Sequence, residues 1–249
     1  SLDGRDLSPL FQDSAESWPP RTLFNYLGGR LSVRTDRFRL DPRGALYDML
    51  ADPSQTRDVA SEHPEVVEQL RKEIGAWRSD VLARLPEKDE RPFPVGYREW
   101  PRTWLPARDG TAHGGLRRSA AAPNCSYFVN WTNRDARAEW QIDVHAAGVY
   151  AVELWYTCAK ADEGSRIEVS CGDVKIEGKV APAWDPPLIT DQDVIPRPAG
   201  ESVLKEFRPL RLGKMRLAPG SATLSVRASE IVGREALQLR GLHLTLLDE

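Results

Sequence analysis

The stretch Ala138-Glu139-Trp140-Gln141-Ile142-Asp143-Val144, followed after Ala146-Ala147-Gly148 by Tyr150-Ala151-Val152-Glu153-Leu154-Trp155-Tyr156-Thr157-Cys158, decides the fold class. Its apolar residues recur at every second position, and successive side chains of an extended chain point to opposite sides, so each run puts one apolar face on a strand. Ala138, Trp140, Ile142 and Val144 make the first face; Tyr150, Val152, Leu154, Tyr156 and Cys158 make the second. Trp140 and Trp155 alternate within these runs and read as packed strand residues. Further alternating runs cover 167–171, 174–180, 207–212, 222–228 and 237–246, most of them separated by Gly or Pro. About eight strands without a helix predict an all-β, jelly-roll-like sandwich over residues 97–249.

Working outward, the stretch Pro86-Glu87-Lys88-Asp89-Glu90-Arg91-Pro92-Phe93-Pro94 suits neither a continuous helix nor a central strand, and predicts a linker over 86–96. Before it, short segments at 22–27, 31–35, 38–41 and 45–49 are broken by Gly28-Gly29, Asp36-Arg37 and Pro42-Arg43-Gly44, the pattern of a small antiparallel sheet. Pro64 then stands at a first helical position, and Val67, Leu70, Ile74, Trp77, Val81 and Leu85 follow at spacings of three or four. That stripe predicts a long amphipathic helix lying on the sheet, so residues 1–85 read as an α+β subdomain.

Composition excludes several function classes. The 249 residues carry 34 basic and 37 acidic side chains, a formal charge of −3, which leaves no basic excess for a nucleic-acid backbone. No apolar run approaches the ~20 residues that cross a bilayer. Three cysteines without a C-x-x-C pair suit neither a disulfide scaffold nor a zinc site. Cys158 and Cys171 either pair or stay as two buried thiols. His63, His113, His145 and His243 lie far apart and form no recognisable ligand set. The chain starts at Ser1 with neither an initiator Met nor a targeting segment and reads as part of something longer.

Four pieces in register carry a family resemblance: Leu2-Asp3-Gly4-Arg5-Asp6-Leu7-Ser8-Pro9-Leu10, Trp18-Pro19-Pro20-Arg21-Thr22-Leu23-Phe24, Val33-Arg34-Thr35-Asp36-Arg37-Phe38-Arg39-Leu40 and Ala45-Leu46-Tyr47-Asp48-Met49-Leu50-Ala51-Asp52-Pro53. Together they resemble the C-terminal subdomain of type I, formylglycine-dependent sulfatases. Leu105-Pro106-Ala107-Arg108-Asp109-Gly110, Pro123-Asn124-Cys125-Ser126-Tyr127-Phe128 and Asn130-Trp131-Thr132 are similar to the β-sandwich appended to bacterial sulfatases of the N-acetylgalactosamine-6-sulfatase or arylsulfatase A type. The resemblance implies a noncatalytic C-terminal fragment that supports a missing N-terminal catalytic domain and adjoins its substrate cleft. For the parent it implies hydrolysis of sulfate esters on a sulfated carbohydrate, a formylglycine, a divalent cation such as calcium, and export to the periplasm or beyond.

The chemistry of that family is not visible in this chain. No cysteine is followed by Pro at the second position, as the formylglycine motif requires. Ser17-Trp18-Pro19-Pro20-Arg21 matches the serine version, but Tyr26 and Leu27 occupy the places of its Thr and Gly. No catalytic residue and no metal ligand is therefore expected here, and the chain alone should hydrolyse nothing by the family mechanism. A carbohydrate-binding module and a purely structural or interaction domain are the alternatives.

Binding candidates come from residue type and loop position. An exposed indole can stack on a sugar face while amides and carboxylates bond its hydroxyls. Trp131 with Asn130, Asn133 and Asp135, and Trp184 with Asp185, fit that pattern; loop tryptophans also close the ends of sandwiches. Lys205, Arg208, Arg211, Lys214 and Arg216 form a basic run that either attracts an anion such as sulfated polysaccharide or is the wet face of a strand.

Overall fold

Strand pairing organises the chain in the computed structural model, which describes residues 4–12, 18–86, 89–122, 124–190, 194–198 and 200–247. Ser17 of the formylglycine-like motif lies outside the described residues. The chain divides into two units, Ser1–Asp89 and Glu90–Glu249.

In the first unit, β1 (Leu23–Leu27), β2 (Arg30–Arg34), β3 (Phe38–Leu40) and β4 (Leu46–Asp48) form an antiparallel sheet in that order. Aspartates close its turns by accepting from free backbone N–H groups. Asp41 Oδ1 accepts from Arg43 N at 2.8 Å and Ala45 N at 2.9 Å; Asp58 Oδ1 accepts from Ala60 N at 2.9 Å and Leu46 N at 3.0 Å. Such bonds favour the ionised carboxylate and hold Asp58 below its ordinary value. The helix Pro64–Asp80 buries Val67 and Leu70 against Val33, Leu40 and Leu46, and Trp77 stacks on Phe24 at 5.2 Å. The apolar stripe ends sooner than its spacing predicts. The helix stops at Asp80, Val81 caps it, and Leu85 is 56% exposed beyond the turn Leu82–Arg84.

The second unit is a sandwich of two sheets. One has the order β13 (Val174–Lys179), β12 (Arg166–Cys171), β15 (Gly220–Glu230), β10 (Arg137–Val144), β5 (Phe93–Val95), with β7 (Thr111–His113) also pairing with β10. The other runs β14 (Arg208–Leu217), β11 (Gly148–Thr157), β16 (Gln238–Leu246), β9 (Phe128–Val129), β8 (Arg117–Arg118), with β6 (Arg102–Pro106) also pairing with β16. The two runs that decided the fold class thus lie in opposite sheets, and residues 145–147 carry the chain from one to the other. The predicted linker is corrected at its far end. Phe93–Val95 pairs parallel to β10 through Ile142, Asp143 and Val144, and Pro94 is tolerated because the strand sits at a sheet edge.

Between the sheets lie Trp131, Trp140, Tyr150, Tyr156, Phe128, Ile142 and Leu154, all almost wholly buried. Burial of each such side chain contributes on the order of 1.5–3 kcal/mol. Their polar tips are satisfied, as burial demands: Trp140 Nε1 donates to Pro106 O at 2.9 Å, Tyr150 Oη to Ala146 O and Tyr156 Oη to Pro182 O, both at 2.6 Å. Cys158 and Cys171 are both free and buried, and burial, with Asp162 next in effect, pushes the Cys158 thiol up to about 11.

Candidate functional site

Strand parity creates the site. In β11 the residues Tyr150, Val152, Leu154 and Tyr156 point into the core, so Ala151, Glu153 and Trp155 face outward. On β16 the outward positions include His243 and Thr245, and on β14 they include Arg211, Lys214 and Arg216. Register then aligns Arg211, Glu153, His243 and Trp104 in one row across β14, β11, β16 and β6. At about 4.8 Å between strands, that row spans roughly 15 Å of open sheet surface.

Two irregularities shape the surface. The β11–β16 pairing slips between Trp155 and Tyr156, which leaves Arg240 without a pairing partner on β11 and sets Gly241 opposite Trp155. Gly241 has φ +155, and a β-carbon there would stand 2.6 Å from the Trp104 ring and 2.5 Å from Leu105 O. Only glycine lets the Trp104 indole lie over the strand at this point.

The aromatic groups form a connected cluster. Trp104 and His243 have ring centroids 4.6 Å apart, tilted by 44°, and Trp155 meets the other side of the imidazole edge-on at 6.3 Å. All three are half-buried. Glu153 fixes one indole and balances two cations: its Oε1 accepts from Trp155 Nε1 at 3.2 Å and from Arg102 Nη2 at 3.3 Å, and Oε2 stands 3.9 Å from Arg211 Nε. His243 Nδ1 is buried without a hydrogen-bond partner. Burial, then the charge of Arg102, holds the imidazole below its ordinary value; the Thr103 backbone and Glu153 pull the other way. The arrangement offers flat apolar rings rimmed by a carboxylate, guanidinium groups and a neutral imidazole.

Of the loop candidates, Trp131, Asn130 and Asn133 serve the fold. Trp131 is wholly buried and donates from Nε1 to Ala136 O at 3.0 Å, so neither of its faces can meet a sugar. Asn130 Nδ2 donates to Gly115 O at 2.7 Å and Asn133 Nδ2 to Gly114 O at 2.9 Å, and Asn133 Oδ1 accepts from the backbone of Asp135 and Ala136. These side chains lock a turn; Asp135 itself is exposed. Trp184 is half-buried, its backbone bridges to Cys158, and the Arg208 guanidinium stands 5.3 Å above its ring. Asp185 accepts from Lys205 Nζ at 2.6 Å and lines a cavity of about 40 Å³ with Asp162, Glu235 and Gln238. That volume holds a few waters and no pyranose ring.

The basic run divides along its length. Lys205 is paired with Asp185 and Gln238, and Arg208 donates to Pro182 O at 2.5 Å. Arg211, Lys214 and Arg216 face outward beside the aromatic cluster. Among the described residues, no three His, Cys, Asp or Glu side chains are grouped to hold a metal ion, and no helix is long and apolar enough to cross a membrane.

Sequence reading missed Trp104, Glu153, Trp155 and His243 as site residues. Trp155 carried a signal: it lies between the inward Leu154 and Tyr156, out of phase with the core. Trp104 carried none, since its five-residue strand shows no clear alternation.

No family model matches the sequence, and no curated protein matches it. Among solved structures, the chain is similar to a GH26-CBM35 β-(1,4)-mannanase of Podospora anserina at 15% identity, covering 59% of this chain and 28% of that chain, TM-score 0.42. It is similar to the Cry4Aa toxin of Bacillus thuringiensis at 13% identity, covering 59% and 24%, TM-score 0.45. It is also similar to a family 35 carbohydrate-binding module from Clostridium thermocellum at 14% identity, covering 59% and 98%, TM-score 0.40. The chain spans about a quarter of the mannanase and toxin chains, and likeness of this degree brings neither a ligand nor an activity with it.

Proposed function

We propose that the second unit binds carbohydrate on the outer face of the sheet formed by β14, β11, β16 and β6. One observation carries this reading: Trp104 and Trp155 flank His243 on the outer side of a sheet whose opposite side is already a filled core. Half-exposed indoles present apolar faces for the C–H side of a pyranose, while Glu153, Arg102 and the imidazole supply acceptors and donors for hydroxyls at the rim. The aromatic platform has no role in closing the sandwich. Calorimetric titration of the chain with a broad oligosaccharide panel tests the reading. Binding that drops at least about tenfold in both Trp104→Ala and Trp155→Ala, with Trp184→Ala unchanged, is the expected outcome; absence of binding across the panel overturns it.

A second reading has its own support. The first unit combines a four-stranded antiparallel sheet with a following helix, the order that the sulfatase resemblance implies for a C-terminal subdomain. On that reading a formylglycine and a calcium-type cation belong to a separate catalytic domain of an exported sulfatase, and this chain supplies support and a glycan-binding face. Co-expression with a candidate catalytic domain tests it: a stable complex with sulfatase activity that neither part shows alone is the expected result.

A further inference from the structure

We infer that the carbohydrate bound on this face is anionic, with its acid groups received by Arg211 and Lys214 at the flank of the aromatic platform. The inference rests on the glycan-binding reading above and names the class of ligand. The first support is charge. Among the described residues on the outward positions of β14, β11, β16 and β6 that surround the platform, Arg102, Arg211 and Lys214 stand against one carboxylate, Glu153. The whole chain has a formal charge of −3, so this local excess opposes the sign of the molecule.

Geometry separates Arg211 and Lys214 from ordinary surface pairs. The Arg211 side chain is 92% exposed, and its approach to Glu153, at 3.9 Å, is longer than a hydrogen bond. Its donors face solvent and remain open to a planar acid group, which a guanidinium recognises in two-point fashion. Register sets Lys214 opposite Ala151, and Ala151 opposite Thr245, so no carboxylate faces the ammonium across those strands. Glu153 already serves Trp155 and Arg102. A chain of sugars stacked on Trp155 and leading toward β14 would therefore pass from aromatic surface onto positive charge within two strand spacings, roughly 10 Å.

Uronate carboxylates and sulfate esters share this chemistry, and matched pairs of polymers tell them apart. The full chain is titrated calorimetrically with polygalacturonate and its methyl ester, and with dextran sulfate and dextran, at 50 and 300 mM NaCl. The expected result is a preference of at least about fivefold for the charged member of one or both pairs, shrinking at the higher salt as screening shortens to a few ångströms. Arg211→Gln combined with Lys214→Gln should remove that preference while neutral binding falls by no more than about twofold; both side chains are exposed, so the variant keeps its fold. The pair that shows the preference identifies the acid group. Equal binding within both pairs, or a preference that survives in the double variant, overturns the inference while the platform reading stands. Absence of binding to all four polymers by the native chain overturns both.

Discussion

The two sheets of the sandwich turn very different outer faces to their surroundings. On the sheet of β13, β12, β15, β10 and β7, one register row reads Glu177, Glu168, Arg227, Arg137, His113: two carboxylates, two guanidinium groups, one imidazole and no indole. Its charges are compensated: Arg227 Nε meets Glu168 at 2.7 Å within the row, and Arg137 and Glu177 pair with the neighbouring Glu139 at 2.7 Å and Arg166 at 2.6 Å. The matching row on the other sheet reads Arg211, Glu153, His243, Trp104. Both rows lie over equally filled cores, so the requirement of burying an inner face cannot explain the contrast. A balanced face needs only water, whereas a face with half-exposed indoles and excess positive charge keeps apolar surface in contact with solvent at a cost that a ligand can offset.

The largest break in this comparison should come from Gly241→Val. The new side chain would meet Leu105 O and the Trp104 ring, in a backbone conformation that a β-branched residue rarely adopts. Chemical denaturation should show the second unit destabilised by about 2–4 kcal/mol, or a folded protein in which Trp104 is displaced and glycan binding is gone. A variant with native stability and native binding would show that Trp104 does not depend on the glycine.

A second test sets one face against the other in a single assay. Trp155→Ala should lower saccharide affinity about tenfold, near 1.4 kcal/mol, because stacking and the bond to Glu153 are lost together. Arg227→Ala on the opposite face should leave affinity unchanged. Equal losses from both would mean that the effect passes through the fold rather than through contact.

Most of the sandwich could be read from the chain because its long strands alternate for six residues or more; β10, β11, β12 and β15 each carry an inward series that only a pleated strand explains. The strands β5, β6, β7, β8 and β9 have two to five residues, too few for a period to emerge, and are fixed by partners distant in sequence. The site was less legible. Loops often carry function, but Trp131 is buried in the apolar core with its indole N–H satisfied by Ala136 O, and the surrounding amides lock the turn. Trp155 was grouped with Trp140 as a packed residue, although its odd position in β11 turns it outward. His243 needed one further step: the apolar spacing in β16 changes from two to three between Leu239 and Leu242, which marks the bulge that sets its face.

A smaller effect sharpens the balanced face. Glu168 is held below its ordinary value first by the hydrogen bond from Arg227, so its carboxylate should remain charged well into acid. The pair is partly solvent-exposed, and its removal by Arg227→Ala and Glu168→Ala together should cost no more than about 1 kcal/mol. A double-mutant cycle by urea denaturation measures the coupling. A loss of several kcal/mol would mean that this face is also built around a specific contact and that the contrast between the sheets is overstated.

The smallest expected effect is a pH dependence located on the aromatic face. His243 is held below its ordinary value by burial and by Arg102, so the folded chain resists a proton that the unfolded chain accepts. Stability from this residue is therefore fully present above the unfolded value, near 6.5, declines as pH falls below it, and levels off once the folded imidazole also protonates. The carboxylates with lowered values, among them Asp48, Asp58, Glu168 and Glu177, act in the same direction, but only as pH approaches the carboxylate range near 4. The interval from pH 7.5 to 5.5 thus separates His243 from them. The unfolding midpoint of the second unit should fall across that interval, and His243→Gln should flatten the change, since glutamine has no proton to gain. An identical slope in the variant would place the titration elsewhere and remove the imidazole from the electrostatics of the platform, leaving its tilted and edge-on ring contacts with Trp104 and Trp155 as its sole contribution.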